Sequence, residues 1–150
     1  GASGTSFAVH QPKPQFLMSV GKRREVTCAA ATDSSLWGRA VACGAVDGRV
    51  YVFGLSTGKL EHRLHVCSVP IQSVSWAEGG RLLAVGAADG TTWVYESHAD
   101  GTGALLQGLV GNAAGVSGLY FAGAGAAKGP GLEDTCVVSV CSRQAVTWDA

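Results

Sequence analysis

Charge is what this chain has least of. Only 15% of its 150 residues are charged, and eleven basic side chains balance eleven acidic ones. An average soluble domain carries roughly 25%. A net charge of zero leaves no polycationic field for a nucleic-acid backbone and no acidic tail, so nucleic acid is not an expected partner. No apolar run approaches the ~20 residues of a membrane-spanning helix. G-x-S-x-G, H-E-x-x-H and paired-carboxylate motifs are missing, so no enzymatic chemistry and no cofactor are expected. Also missing are a C-x-x-C pair and a charged-then-apolar leader. The cysteines are odd in number: Cys28, Cys43, Cys67, Cys136 and Cys141. Cys136 and Cys141 lack a common zinc spacing, and strand alternation points them to opposite faces. All five read as small buried hydrophobes in a reducing, intracellular compartment, cytoplasmic first, nuclear or ciliary as alternatives.

Glycine is the residue in excess. Its 22 copies show no three-residue period, so they punctuate short elements rather than build a collagen-like helix. Residues 1–15, with Pro12 and Pro14, read as a flexible lead-in. From Phe16 onward, short apolar runs rich in Val, Tyr, Phe and Trp alternate with D-G, S-T-G-K, E-G-G and A-D-G-T. No stretch keeps a 3.6-residue apolar period, so the pattern predicts many short strands joined by tight turns. The runs are nearly continuous rather than alternating, which predicts burial of both sheet faces.

An internal repeat organises these strands. Ala42-Cys43-Gly44-Ala45-Val46-Asp47-Gly48-Arg49-Val50-Tyr51-Val52-Phe53 superposes without a gap on Ala84–Tyr95, an offset of 42 residues. Val138–Asp149 is a weaker third copy, with Trp148 matching Phe53 and Tyr95. A second element precedes each copy: Gly21–Val26, Val66–Ile71 and Gly111–Val116. Each is followed by a short strand, at Thr27–Ala31, Gln72–Ala77 and Ser117–Ala122. One unit therefore reads as four strands with a D-G hairpin between the second and third.

A period of this length with four strands per unit resembles the WD40 repeat family. Leu82–Tyr95, L-L-A-V-G-A-A-D-G-T-T-W-V-Y, carries the best local match. Phe53–Leu64, F-G-L-S-T-G-K-L-E-H-R-L, is similar to the family's W-D-x-x-T-G-K link. The resemblance implies an all-β fold, a partial β-propeller of about three four-stranded antiparallel blades. Residues 16–66 would hold a strand of a preceding blade (Gln15–Val20) and the first blade. Residues 67–110 would be the second blade, and 111–150 an incomplete third with a loop insertion at 123–134. A six-residue insert is expected near Asp33–Trp37. A closed ring needs roughly 4–8 blades. The expectation is a segment of a longer protein, or a ring completed by another chain.

The family often locks a blade with a hydrogen-bonded tetrad of His, Asp, Ser or Thr, and Trp. Here the His position holds Lys22, Cys67 and Asn112. The Asp position holds Asp47, Asp89 and Ser142, and the Trp position Phe53, Tyr95 and Trp148. No copy keeps the full set, so stability is expected mainly from apolar packing between blades.

Other constellations read as structure. Gly123-Ala124-Gly125 with Gly129 lacks the following helix that a dinucleotide loop needs, and Gly54–Lys59 is one residue short of a phosphate loop. His10, His62, His65 and His98 have no carboxylate or Cys partner at metal spacing, so no metal is expected. Asp47 and Asp89 are explained by turn chemistry rather than catalysis. Lys22-Arg23-Arg24 is the only basic cluster; it suits a solvated loop or contact with an acidic or phosphorylated partner. The resemblance implies a non-catalytic scaffold that binds other proteins or peptides. The alternatives are a purely structural blade set inside a large assembly, and a propeller appended to an enzyme. By register, Arg23, Arg24, Asp47, Gln72, Asp89, Asn112 and Arg143 lie on one face and are the candidate contact positions.

Overall fold

The structure is a computed structural model that describes residues 18–21, 25–34, 38–97, 103–112, 114–123 and 135–149. The lead-in at 1–15, the cluster Lys22-Arg23-Arg24 and most of the 123–134 insertion lie outside the described residues. Among the described residues, strands dominate, and the only helical element is a 3-10 turn at Glu78–Gly80.

The strands form three antiparallel meanders in chain order. The first sheet is β1 (Val26–Ser34), β2 (Gly38–Ala45), β3 (Arg49–Gly54) and β4 (Leu60–His65). The second is β5 (Ile71–Trp76), β6 (Leu82–Ala87), β7 (Thr91–Ser97) and β8 (Gly103–Val110). The third has β9 (Gly118–Gly123), β10 (Thr135–Val140) and β11 (Ala145–Asp149). The first strands of the sheets are neighbours, with β5 packed on both β1 and β9.

The repeat extends to the irregularities. The ladder slips between Val26 and Cys28 in the first sheet and between Ile71 and Ser73 in the second. It slips again between Val52 and Phe53, and between Val94 and Tyr95. Equivalent bulges 42 or 45 residues apart mean that the first two sheets twist in the same places.

Burial follows the continuous apolar runs. Every residue of β6 is buried because sheets lie on both its faces, and Val50–Gly54 of β3 are buried between the second sheet and the segment that carries Met18 and Val20. At the edge, β4 alternates instead, with Glu61, Arg63 and His65 turned outward, charges that discourage strand addition. Even-numbered residues of β2 and β3 (Ala40, Ala42, Val50, Val52) meet Ile71, Leu83, Val85 and Tyr95 of the second sheet. The other face of the second sheet offers Leu82, Ala84 and Val94 to Val116, Leu119 and Val137. Val20 and Met18 cover Tyr51 and Phe53 on the remaining face of the first sheet.

Two expectations need restating. Of the insert expected near Asp33–Trp37, Asp33 and Ser34 pair with Arg39 and Gly38 and lengthen β1 and β2, while residues 35–37 lie outside the described residues. The segment Gln15–Val20 lies largely outside the described residues, and Met18–Val20 form no strand. The five cysteines are free thiols.

Candidate functional site

Strand register brings the D-G hairpins and the loops before β5 and β9 to one end of the sheets. The Gly48 carbonyl accepts both Val66 N–H and Cys67 N–H at 3.1 Å, tying the first hairpin to the loop before β5. Gly48 has φ +77°, and a Cβ there would overlap the Cys67 carbonyl. Gly90 has φ +91°, and a Cβ there would overlap the Asn112 carbonyl. Both constraints, left-handed backbone and close approach, select glycine after the Asp.

Each Asp caps its own hairpin. Asp47 Oδ1 accepts the Arg49 N–H at 3.1 Å, and Asp89 Oδ1 accepts the Thr91 N–H at 3.0 Å. This is the turn chemistry the sequence predicted. Asp47 is held further: Tyr51 donates its hydroxyl to Oδ2 at 2.7 Å, and the Arg49 guanidinium lies 3.3 Å from the same oxygen. Burial pushes the Asp47 carboxyl up, but the Tyr51 hydroxyl, the Arg49 amide and the guanidinium outweigh it and hold it below its usual range.

The third hairpin has one residue fewer and neither Asp nor Gly. Val140 pairs with Ala145, whereas Gly86 pairs with Thr92. Cys141 takes over as the acceptor. The Arg143 amide holds its thiol below the ordinary range against burial, helped by Gln144, Asn112 and Ala114. Gln144 Nε2 then donates to the Gly111 carbonyl at 2.9 Å, clamping this hairpin to the loop before β9.

Asn112 stands in a buried polar chain that sequence reasoning missed. Trp148 Nε1–H donates to Ser139 Oγ at 2.8 Å, and Ser139 donates to Asn112 Oδ1 at 2.6 Å. Three positions of the tetrad are thus linked, with Asn in place of His. The available signal was the hydroxyl of Ser139, one residue before the strand end that aligns with Gly44 and Gly86. In the second copy, Cys67 donates instead to the Val69 carbonyl at 3.3 Å. Burial raises its thiol, with smaller opposing help from that bond.

The other candidates divide as follows. Gln72 is exposed and lies across the gap to Gly115, where any Cβ would overlap its Oε1. Asp89, Asn112 and Gln72 therefore gather at the seam of the second and third sheets, while Asp47 sits one seam away. Arg143 is exposed at the third hairpin. Among the described residues, no three His, Cys, Asp or Glu side chains are grouped to hold a metal ion, and no helix is long and apolar enough to cross a membrane.

No family model matches the chain. The retinoblastoma-binding protein homolog 5 of Caenorhabditis elegans is 30% identical over 60 residues, covering 40% of this chain and 13% of that protein. The computationally designed protein Ika8 is similar with 28% identity and a TM-score of 0.58, over 74% of this chain and 30% of its own. U3-55K matches with 20% identity and a TM-score of 0.65, over 86% of this chain and 37% of its own. Sqt1 of Saccharomyces cerevisiae matches with 17% identity and a TM-score of 0.61, over 77% of this chain and 28% of its own. The chain therefore spans well under half the length of each. U3-55K and Sqt1 are WD40 propellers, and the fold of this chain is accordingly an open, partial β-propeller of WD40-like blades.

Proposed function

We propose that the chain is a non-catalytic scaffold whose hairpin end binds another protein. One observation carries this reading: polar side chains from three blades meet there on loops already tied down by hydrogen bonds. Asp89 and Gln72 mark one seam, Asp47 the next, and Arg143 the third hairpin, while Asn112 supports them from within through Ser139. Loops fixed before contact lose little entropy on binding, which is the advantage of a rigid platform. The name of the worm relative refers to binding a protein, which supports the same class for this chain. Free cysteines fit an intracellular setting.

Arg23 and Arg24 complete the proposed contact set and suit an acidic or phosphorylated partner. The test is affinity capture from cell extract with the native chain and with Arg23→Glu/Arg24→Glu. The variant should keep its melting temperature and lose partners at least tenfold; an unchanged set of partners removes this loop from the interface. A purely structural blade set is the second reading, favoured by the open face of the third sheet, where Tyr120 is 61% exposed. Loss of partners in Asp89→Lys/Arg143→Glu with retained folding favours the scaffold over that alternative.

A further inference from the structure

Cys141 is held unlike the other buried thiols. Burial raises the thiols of Cys28, Cys43 and Cys67. Cys67 also spends its proton on the Val69 carbonyl, at 3.3 Å. Around the Cys141 sulfur the neighbours that act on it are donors instead. The Arg143 and Gln144 amides come from its own hairpin, and the Ala114 amide and the Asn112 side chain from the loop before β9. Successive backbone N–H groups turned toward one point make an anion-binding nest. Among the described residues, this thiol donates no hydrogen bond of its own.

One donor in the group is unused. Asn112 spends its carbonyl oxygen on Ser139, at 2.6 Å. Its Nδ2 faces the sulfur, is fully buried and closes no hydrogen bond of ordinary geometry among the described residues. A buried amide N–H without an acceptor is costly, so it favours any change that sets an oxygen on that sulfur. Access suits a small reagent: Cys141 is 6% exposed, while residues 142–145 beside it are all exposed. No second thiol stands near enough for a disulfide, which needs Cα atoms within about 7 Å. Cys136 lies near the start of β10, about 16 Å away along an extended strand. Cys28 and Cys43 belong to the first sheet, and Cys67 to the loop before β5.

We propose that Cys141 is an oxidation site, at which hydrogen peroxide converts the sulfur to a sulfenate held by Asn112. The thiolate attacks one peroxide oxygen, and the S–O bond forms as the O–O bond breaks. Hydroxide leaves, takes the proton of the sulfenic acid and becomes water. Sulfur loses two electrons and the peroxide gains them. The new oxygen accepts the Asn112 Nδ2–H, and the hairpin amides keep the sulfur in place. With no partner thiol in reach, the sulfenate does not pass on to an intramolecular disulfide. The inference concerns thiol chemistry and stands apart from the partner contacts proposed above.

The test treats the whole chain with equimolar hydrogen peroxide, caps the remaining thiols with N-ethylmaleimide in acidic denaturant, and follows each cysteine by peptide mass spectrometry. At neutral pH, Cys141 should gain one oxygen at least tenfold faster than Cys28, Cys43 and Cys67. Oxidation in urea should abolish the preference. The Cys141 rate should reach its half-maximum below pH 9.0, the ordinary thiol value. Asn112→Asp keeps an acceptor for Ser139 but removes the Nδ2 donor and adds negative charge. Oxidation of Cys141 should then fall at least tenfold, with the circular dichroism spectrum unchanged. Equal rates for these thiols overturn the proposal, as does a preference that survives urea or a folded Asn112→Asp chain that oxidises at the native rate. If Asn112→Asp does not fold, the pH profile of the native chain decides, and a half-maximum at or above 9.0 overturns the proposal.

Discussion

Ser139→Ala is the sharpest probe of the third sheet. Ser139 is fully buried, and its hydroxyl is the only link between Trp148 Nε1 at 2.8 Å and Asn112 Oδ1 at 2.6 Å. Alanine removes both hydrogen bonds and leaves an indole N–H unpaired beside the apolar cluster that Trp148 covers. Two net hydrogen bonds of about 1 kcal/mol each, plus about 1–2 kcal/mol for the stranded donor, give a loss of about 3 kcal/mol. For a chain of this length, 1 kcal/mol moves Tm by about 2–4 °C, so a fall of roughly 6–12 °C is expected. Guanidinium unfolding followed by circular dichroism gives the free energy. Repeating it in a Trp148→Phe background isolates the pair, because the serine then has less to lose. A cost below about 0.5 kcal/mol, or the same cost in both backgrounds, would refute the view that this chain of side chains holds the sheet together.

Two further outcomes follow from single groups. Thr92 is fully buried with no hydrogen-bond partner for its hydroxyl among the described residues, and Val50 fills the same position in the first sheet; Thr92→Val should raise the free energy of unfolding by about 1 kcal/mol in the same assay, and a loss instead would mean the hydroxyl has a partner. The Asp47 carboxyl is held below its usual value of 3.8, so its contribution is complete above the unfolded-state value and is lost as pH falls through the folded one. Being partly exposed, it is worth less than about 1 kcal/mol. Melting curves of the native chain and Asp47→Asn should therefore differ at neutral pH and converge only as the pH falls below 3.8; a constant gap would place the effect elsewhere.

The hairpins were legible because D-G states its geometry locally: Asp47 and Asp89 cap their own turns, and Gly48 and Gly90 take the left-handed backbone. The 42-residue recurrence then fixed how many sheets to expect and in what order. What stayed hidden depends on register between distant segments. Ser139 meets Asn112 across 27 residues, and only the shortened third hairpin sets which residue of β10 faces that loop. Gly44 and Gly86 were visible as letters, but their meaning lies in the close approach of Ile71 and Val116 from the next sheet. Around Asp33–Trp37 composition alone does not separate strand from loop; only the pairing of Ala31–Ser34 with Gly38–Val41 shows how far β1 and β2 run.

The meander itself has a kinetic corollary. Every strand pairs with its neighbour in sequence, so each sheet assembles through short chain closures, while cohesion between sheets is passed only from one to the next. Such an array loses order from its ends inward, and the middle sheet, gripped on both sides, is the last to let go.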